Sequence, residues 1–328
     1  MVDNKVEILY DICEYHGGQS IHFAFLFGGR GIGMTGAEVR AVKLDVNNTQ
    51  QLQKDVGGLR AVEMFYRGIR EIETGSVVFF QSRTRLNTPG LGTLIPENFR
   101  EVAELSNQCL TLFDFELAQG LEAEKTFRDR DFFFQWISIY MPIRFLLEKG
   151  AESKLIRRME AVGIDTNRVC FELPAKLLTE GNVHHARAIA NLRNRGFHFL
   201  LTGFGGNNSP LMKLSDFPVD YVMLSQEIIG YLGKTDRAAS AVKSIVEFVS
   251  QLGAEPIADG VANAAQAEAL YEAQCRYISG ALAGKYTLER YIRKRTEGYL
   301  KSEEDEAPEE EAFADEAPEE EEPVDHSL

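Results

Sequence analysis

Hydrophobic and polar positions alternate in two registers along the chain. Between about Leu59 and Leu282, short β-branched or aromatic runs take turns with longer stretches of helical period, the pattern expected of parallel strands joined by helices. Eight runs read as strands: Ala61 to Ile69, Ser76 to Ser82, Trp136 to Met141, Arg168 to Leu173, His198 to Thr202, Tyr221 to Leu224, Pro256 to Asp259 and Arg276 to Ala281. Helices are predicted over Glu97 to Gln119, Ile143 to Val162, His184 to Arg195, Arg237 to Leu252 and Asn263 to Ala273. Eight strands with helices between most of them favour a closed (β/α)8 barrel over an open doubly wound sheet. The first two runs are separated only by Arg70 to Gly75, too short for a crossover helix, so they should pair as an antiparallel hairpin.

Both ends of the chain depart from this pattern. In the first 56 residues, Ile21 to Phe27 reads as a strand and Gly28 to Gly36 as a glycine-rich turn, with no fold assigned to the segment. Gly31, Gly33 and Gly36 have the spacing of a dinucleotide fingerprint, but no adequate helix follows, so a turn or hairpin is the better reading. At the other end, DEAPEEE occurs at Asp305 to Glu311 and again at Asp315 to Glu321, in a stretch with almost no apolar residues. Residues 301–328 are therefore expected to be a disordered acidic tail, serving solubility or acting as a docking arm for a basic partner. The expected organisation is an extension (1–56), a barrel domain (57–300) and the tail.

Charge changes the picture only by its location. From Glu303 to Asp325 there are fourteen Asp or Glu and no Lys or Arg; taking these from the net −15 leaves the remainder at −1. No basic patch supports a nucleic-acid polymer as partner. The apolar runs are too short to cross a bilayer, and the N-terminus lacks the charged and apolar segments of a signal peptide, so a cytoplasmic location away from membranes is expected. Cys13, Cys109, Cys170 and Cys275 show no CxxC spacing and read as unpaired structural thiols. Adjacent His184 and His185 would point about 100° apart on a helix and cannot readily chelate one ion. No serine or cysteine sits on a recognisable nucleophile elbow.

In a barrel of this kind reactive groups lie where the strands end at their C-terminal side. The residues there resemble a known family. FYRGIREIETGSVVFFQSRTR, from Phe65 to Arg85, is similar without a gap to the opening hairpin of the bacterial EAL domains, usually YQPI, a turn containing TG, then EALLR; Asn87, Pro89, Leu91 and Gly92, with Pro96 and Phe99, continue the likeness. Phe171-Glu172-Leu173 resembles the ELTES segment, and Gly196 with Phe204-Gly205 the GxxLxxDDFGTGYSS segment. Phe217 to Ser225 resembles LPxDxIKID, and Ile257 to Val261 with Gln266 resembles IAEGVE and its downstream glutamine. The resemblance runs in order from about residue 58 to 284.

What the resemblance implies is an EAL-type barrel and hydrolysis of cyclic-di-GMP by a cluster of carboxylates holding Mg2+ or Mn2+, a metal that polarises the phosphoryl group and supplies a bound hydroxide. On the matching positions this chain departs from the pattern. Gln81 stands for the name-giving glutamate and Tyr140 for an asparagine ligand; Glu172 is kept, with Ala175 at the second acidic position. Thr202-Gly203 replace the double aspartate, and Met223 and Ser225 replace the lysine and aspartate of KID. Asp259 is a shortened glutamate, Ala262 replaces a second one, and Ser279 replaces the glutamine ahead of Gly280. Arg67 and Gly68 replace the Gln-Pro of the first strand.

With two carboxylates left, Glu172 and Asp259, no cofactor is expected beyond a weak single-ion site for Mg2+ or Mn2+. Candidate ligand-binding residues are Arg85, at the position of the phosphate-contacting EALLR arginine, with Glu172, Asp259 and Gln266. The expectation is a catalytically inactive EAL-like barrel that acts in regulation or signalling through a protein partner. The runner-up is a cyclic-di-GMP receptor that does not hydrolyse its ligand; a residual phosphodiesterase ranks third. A homodimer through helices flanking the fifth and sixth strands is a further expectation from the family.

Overall fold

Each of the eight runs forms a strand, and the strands close on themselves. The computed structural model describes residues 7–9, 21–26, 42–44, 55–56, 59–88, 92–206 and 209–293. The barrel strands are β1 (Val62–Glu71), β2 (Val77–Thr88), β3 (Trp136–Tyr140), β4 (Val169–Pro174), β5 (His198–Phe204), β6 (Tyr221–Leu224), β7 (Glu255–Ala258) and β8 (Tyr277–Ile278). From β2 to β8 neighbours pair in parallel, whereas β1 runs antiparallel to both β2 and β8 and closes the ring. The short turn between β1 and β2 dictates that exception: the five residues Ile72 to Ser76 cannot carry a crossover.

Period-two alternation sorts the barrel interior into layers. One apolar residue from every strand forms a floor: Ile69, Phe79, Trp136, Cys170, Leu200, Met223, Ile257 and Tyr277. Phe79 stacks on Trp136 with ring centroids 4.0 Å apart, and Tyr277 meets Phe79 edge-on. Two positions further towards the C-terminal ends, the strands carry Gln81, Ser138, Glu172 and Thr202, the residues just past the ends of β6, β7 and β8 are Ser225, Asp259 and Ser279, and the antiparallel β1 contributes Arg67. A dry floor under a polar layer therefore follows from the alternation of the sequence.

The outer faces of the strands pack against helices α1 (Pro96–Glu104), α2 (Gln108–Asp129), α3 (Ala151–Val162), α4 (Leu177–Glu180), α5 (Val183–Asn194), α6 (Gln226–Ile229), α7 (Asp236–Gln251) and α8 (Ala264–Glu272). In α7, Val242, Val246 and Val249 recur at helical spacing and are buried, and Thr235 caps the N-terminus by accepting the Ala238 N–H at 3.1 Å. The histidine pair serves a cap as well: Asn182 accepts the His184 N–H, and buried His185 accepts the Asn182 N–H through Nδ1.

Two predicted helices are broken. Glu97 to Gln119 is split between α1 and α2 at Leu105 to Asn107, where Ser106 Oγ accepts the Gln108 N–H and competes with the helical ladder. Ile143 to Val162 is a 3-10 turn at Ile143–Leu147 followed by α3, separated at Gly150, whose φ is +76°. The eighth strand is shorter than expected and stops before Gly280 (φ +134°), where a Cβ would lie 2.3 Å from the Val261 nitrogen.

Cys109, Cys170 and Cys275 are free and buried; Cys13 lies outside the described residues. The predicted strand at Ile21 is present as Ile21–Leu26, paired antiparallel with Glu7–Leu9 and Val42–Leu44. The Gly31, Gly33 and Gly36 spacing and the acidic tail lie outside the described residues.

Candidate functional site at the mouth of the barrel

Gln81 is the hub of the polar layer. It is buried, and its Oε1 accepts from Tyr286 Oη at 2.7 Å, from Ser279 Oγ at 3.3 Å and from Arg67 Nη2 at 3.3 Å. Its amide donates to Met223 Sδ at 3.5 Å and hydrogen-bonds Glu172. Arg67 Nη2 also donates to Asp259 Oδ1 at 2.8 Å, with the two side chains only 10% and 19% exposed. The second oxygen of Asp259 accepts from Gln226 Nε2 at 3.0 Å. The Tyr286 ring covers the group, with the Arg67 guanidinium 4.2 Å from its centroid and that of Arg83 at 5.5 Å.

Glu172 rises from β4 into the same layer and accepts from Ser138 Oγ. Burial raises its carboxyl to about 7, and the nearby Asp259 charge adds to the effect, against the hydrogen bonds from Ser138 and Gln81 and the Arg100 charge. Burial also pushes the Tyr286 hydroxyl above its ordinary range.

A second cluster lies beside the first. Arg100 of α1 donates through Nη1 to buried Glu116 of α2 at 3.0 Å, and Thr84 donates to the same carboxylate. The Arg100 guanidinium lies 3.9 Å from the centre of the Tyr140 ring. Burial works against its charge, but Glu116 more than offsets this and holds it above the usual arginine range. Tyr140 donates to Glu104, which also pairs with Lys176. Tyr140 is thereby drawn to α1 instead of joining the Gln81 network.

The candidate ligand residues divide between these surroundings. Glu172 and Asp259 belong to the Gln81 network. Arg85 stands on the same hairpin face as Gln81 and Arg83, its guanidinium 3.9 Å from the centre of the Phe65 ring, with no ion pair among the described residues; burial, then Arg83, lowers its pKa. Arg83 is held by Glu97 through two bonds of 2.6 and 2.7 Å. Gln266 is turned to its own loop, where its side chain accepts the Ala262 N–H at 2.8 Å. Thr202 donates to the Leu173 carbonyl, Gly203 takes φ +76°, and Ser225 caps α6 by accepting the Ile228 N–H. Gln226, Tyr286, Ser138, Arg100 and Glu104 escaped the sequence reading. Ser138 lies in the middle of β3, ahead of the strand end that was inspected, and the other four come from helices and loops, where no strand-end position marks them.

As arranged, these donors do not fit a divalent ion of the kind that the family resemblance implies. Both oxygens of Asp259 and the carbonyl of Gln81 are engaged by N–H and O–H donors. Among the described residues no group of three or more His, Cys, Asp or Glu is placed to hold a metal.

The EAL domain family model matches residues 49–286, and the chain belongs to the EAL domain family. Over 232 residues it is 22% identical to the cyclic di-GMP phosphodiesterase RocR of Pseudomonas aeruginosa, covering 70% of this chain and 58% of that protein. It is 24% identical over 233 residues to an uncharacterized protein of Mycobacterium tuberculosis, covering 68% of this chain and 36% of that one. The chain thus spans about a third of the length of its mycobacterial relatives. Among solved structures, the EAL enzyme Bd1971 with cAMP and cyclic-di-GMP bound superposes with a TM-score of 0.65 at 20% identity, over 70% of this chain and 63% of that one. The EAL domain of FimX from Pseudomonas aeruginosa bound to c-di-GMP gives 0.61 at 14% identity, over 71% and 94%. These likenesses establish the barrel fold. No helix among the described residues is long and apolar enough to cross a membrane.

Proposed function

We propose that this chain is a non-hydrolysing EAL barrel that acts in regulation by binding another protein. The observation that carries the reading is the Arg67 bridge: a guanidinium bonded to both Asp259 and Gln81 takes up the acceptors that a hydrolytic metal would need. Without a metal to lower its pKa, water is a poor nucleophile at neutral pH, and Met223 can neither orient nor deprotonate it. Exposed apolar side chains offer contact surface: Leu211 and Met212 on the turn between β5 and β6, and Val183 at the start of α5. The partner is a protein, in the cytoplasm, and a second copy of the chain is one candidate.

A second reading, a cyclic-di-GMP receptor without turnover, is favoured by Arg85. Its guanidinium makes no ion pair among the described residues, although Glu63 stands opposite it across the hairpin, and it can present two parallel N–H donors to a phosphate. Relatives described as bound to cyclic-di-GMP make this nucleotide the ligand to try first. Calorimetric titration with cyclic-di-GMP, with and without Mn2+, while sampling for the linear product, separates the readings. Product formation by the wild type refutes both. Saturable heat without product supports the receptor, and neither heat nor product leaves the protein-binding module, to be pursued by partner capture.

A further inference from the structure

Arg67 reaches its partner by an unusual path. It belongs to β1, and Asp259 follows β7, so the side chain spans the intervening strand β8. The residue it passes there is Ser279, fully buried, with a hydroxyl turned to Gln81. A long side chain at position 279 would fill the space that the guanidinium uses. β1 is also the one strand that enters the layer antiparallel to its neighbours. Tyr286 then covers the guanidinium, Gln226 holds the free oxygen of Asp259, and Gln81 offers a neutral oxygen at 3.3 Å. Three side chains from three different segments, Asp259, Gln81 and Tyr286, meet one positive charge.

We infer that Arg67 is a resident cation, a covalently attached positive charge that occupies the electrostatic place of a divalent metal in this barrel and actively excludes one. This rests on the non-hydrolysing reading above and deepens it. The charge count explains the exclusion. Two carboxylates, Glu172 and Asp259, face the layer, and Arg67 already satisfies one of them. A divalent ion would find one remaining carboxylate and a fixed positive charge a few ångströms away, in surroundings that screen poorly. Loss of metal binding is then a property of Arg67 as much as of the missing carboxylates, and restoring a carboxylate alone gives the arginine a second partner.

The test is Mn2+ binding by the full chain, read as loss of the free-ion electron paramagnetic resonance signal, for the wild type, Arg67→Lys, Gln81→Glu and the double variant Arg67→Gln/Gln81→Glu. The wild type, Arg67→Lys and Gln81→Glu should leave millimolar Mn2+ free. The double variant, with three carboxylates and no fixed cation, should bind at least about a hundredfold more tightly, the scale set by removing one buried like charge. Wild type that binds as tightly as the double variant overturns the inference, as does a folded double variant that gains nothing. Should the double variant fail to fold, the wild type still decides. Mn2+ at 10 mM, about the scale of a weak carboxylate site, should leave its melting temperature unchanged; a rise that Asp259→Asn abolishes refutes the resident cation. Hydrolysis of cyclic-di-GMP by the wild type would instead sink the non-hydrolysing reading, whereas Mn2+ binding without hydrolysis sinks this inference alone.

Discussion

Glu172→Gln should stabilise the protein above neutral pH and leave it unchanged in acid. The Glu172 carboxyl is buried beneath the mouth, and its raised pKa of about 7, against an ordinary 4.5, measures how much the fold disfavours its ionised form. Between those two values the folded state retains a proton that the unfolded chain gives up. Stability therefore falls as pH rises through the window, with the full loss reached above about 7. A shift of roughly 2.5 pH units corresponds to about 3 kcal/mol. Glutamine imitates the protonated acid: it stays neutral, and its carbonyl can accept from Ser138 or Gln81. The difference between variant and wild type should be near zero at about pH 4.5 and grow to about 3 kcal/mol in favour of the variant near pH 8.5. Urea unfolding followed by the emission of the single tryptophan, Trp136, reads it directly, because that ring lies in the floor two residues before Ser138. A difference that stays flat across this range, or grows in favour of the wild type, refutes the account of Glu172 as a carboxyl kept protonated by burial.

Gln81→Glu alone should not restore hydrolysis, because the new carboxylate is met by Arg67 at the 3.3 Å contact already present; turnover of cyclic-di-GMP with Mn2+ by this variant would contradict that. Gly280→Ala places a Cβ 2.3 and 2.5 Å from the Val261 nitrogen and oxygen at a φ of +134°. It should cost on the order of 3 kcal/mol or abolish soluble expression, and an unchanged urea midpoint would rule out the clash. Glu116→Ala leaves Arg100 buried without its carboxylate and should cost about 3–5 kcal/mol, whereas Glu116→Gln should cost less. Equal losses in the two variants would show instead that the carboxylate charge carries the whole effect and that the hydrogen bonding and shape kept by glutamine contribute nothing.

The eight strands were legible because β-branched and aromatic residues alternate with period two, and the same alternation set Gln81, Glu172, Asp259 and Ser279 in one layer above Phe79, Cys170, Ile257 and Tyr277. The helix breaks at Ser106 and Gly150 were not, because both interrupt stretches whose apolar spacing continues across the break. Arg67 was visible as a substitution within the hairpin, yet its partner was not. A salt bridge across an intervening strand depends on barrel closure and on the small Ser279, neither of which local pattern encodes. Tyr286 and Gln226 escaped for a related reason: each acts from a loop or a short helix onto a strand-end residue remote in sequence. Gln266 shows the converse, since a residue matched by motif is engaged in the cap of its own loop.

Counting missing ligands explains why a metal would bind poorly, but it leaves one buried and one half-buried carboxylate, Glu172 and Asp259, in a polar layer, which by itself would be costly. The structure meets that cost in two different ways. Asp259 is balanced by a guanidinium brought in from the one antiparallel strand, and Glu172 by a proton that burial retains up to about pH 7. Each is a monovalent solution, and together they bring the layer close to neutrality with no divalent ion. Gln81 joins the two, bonded to Arg67 on one side and to Glu172 on the other. A change to either balancing charge should therefore be felt by the other through that amide. Arg67→Gln should perturb the titration of Glu172 as well as free Asp259, so the Arg67 and Glu172 substitutions should be non-additive in a double-mutant cycle at pH 8 and closer to additive at pH 5, where the proton is in place.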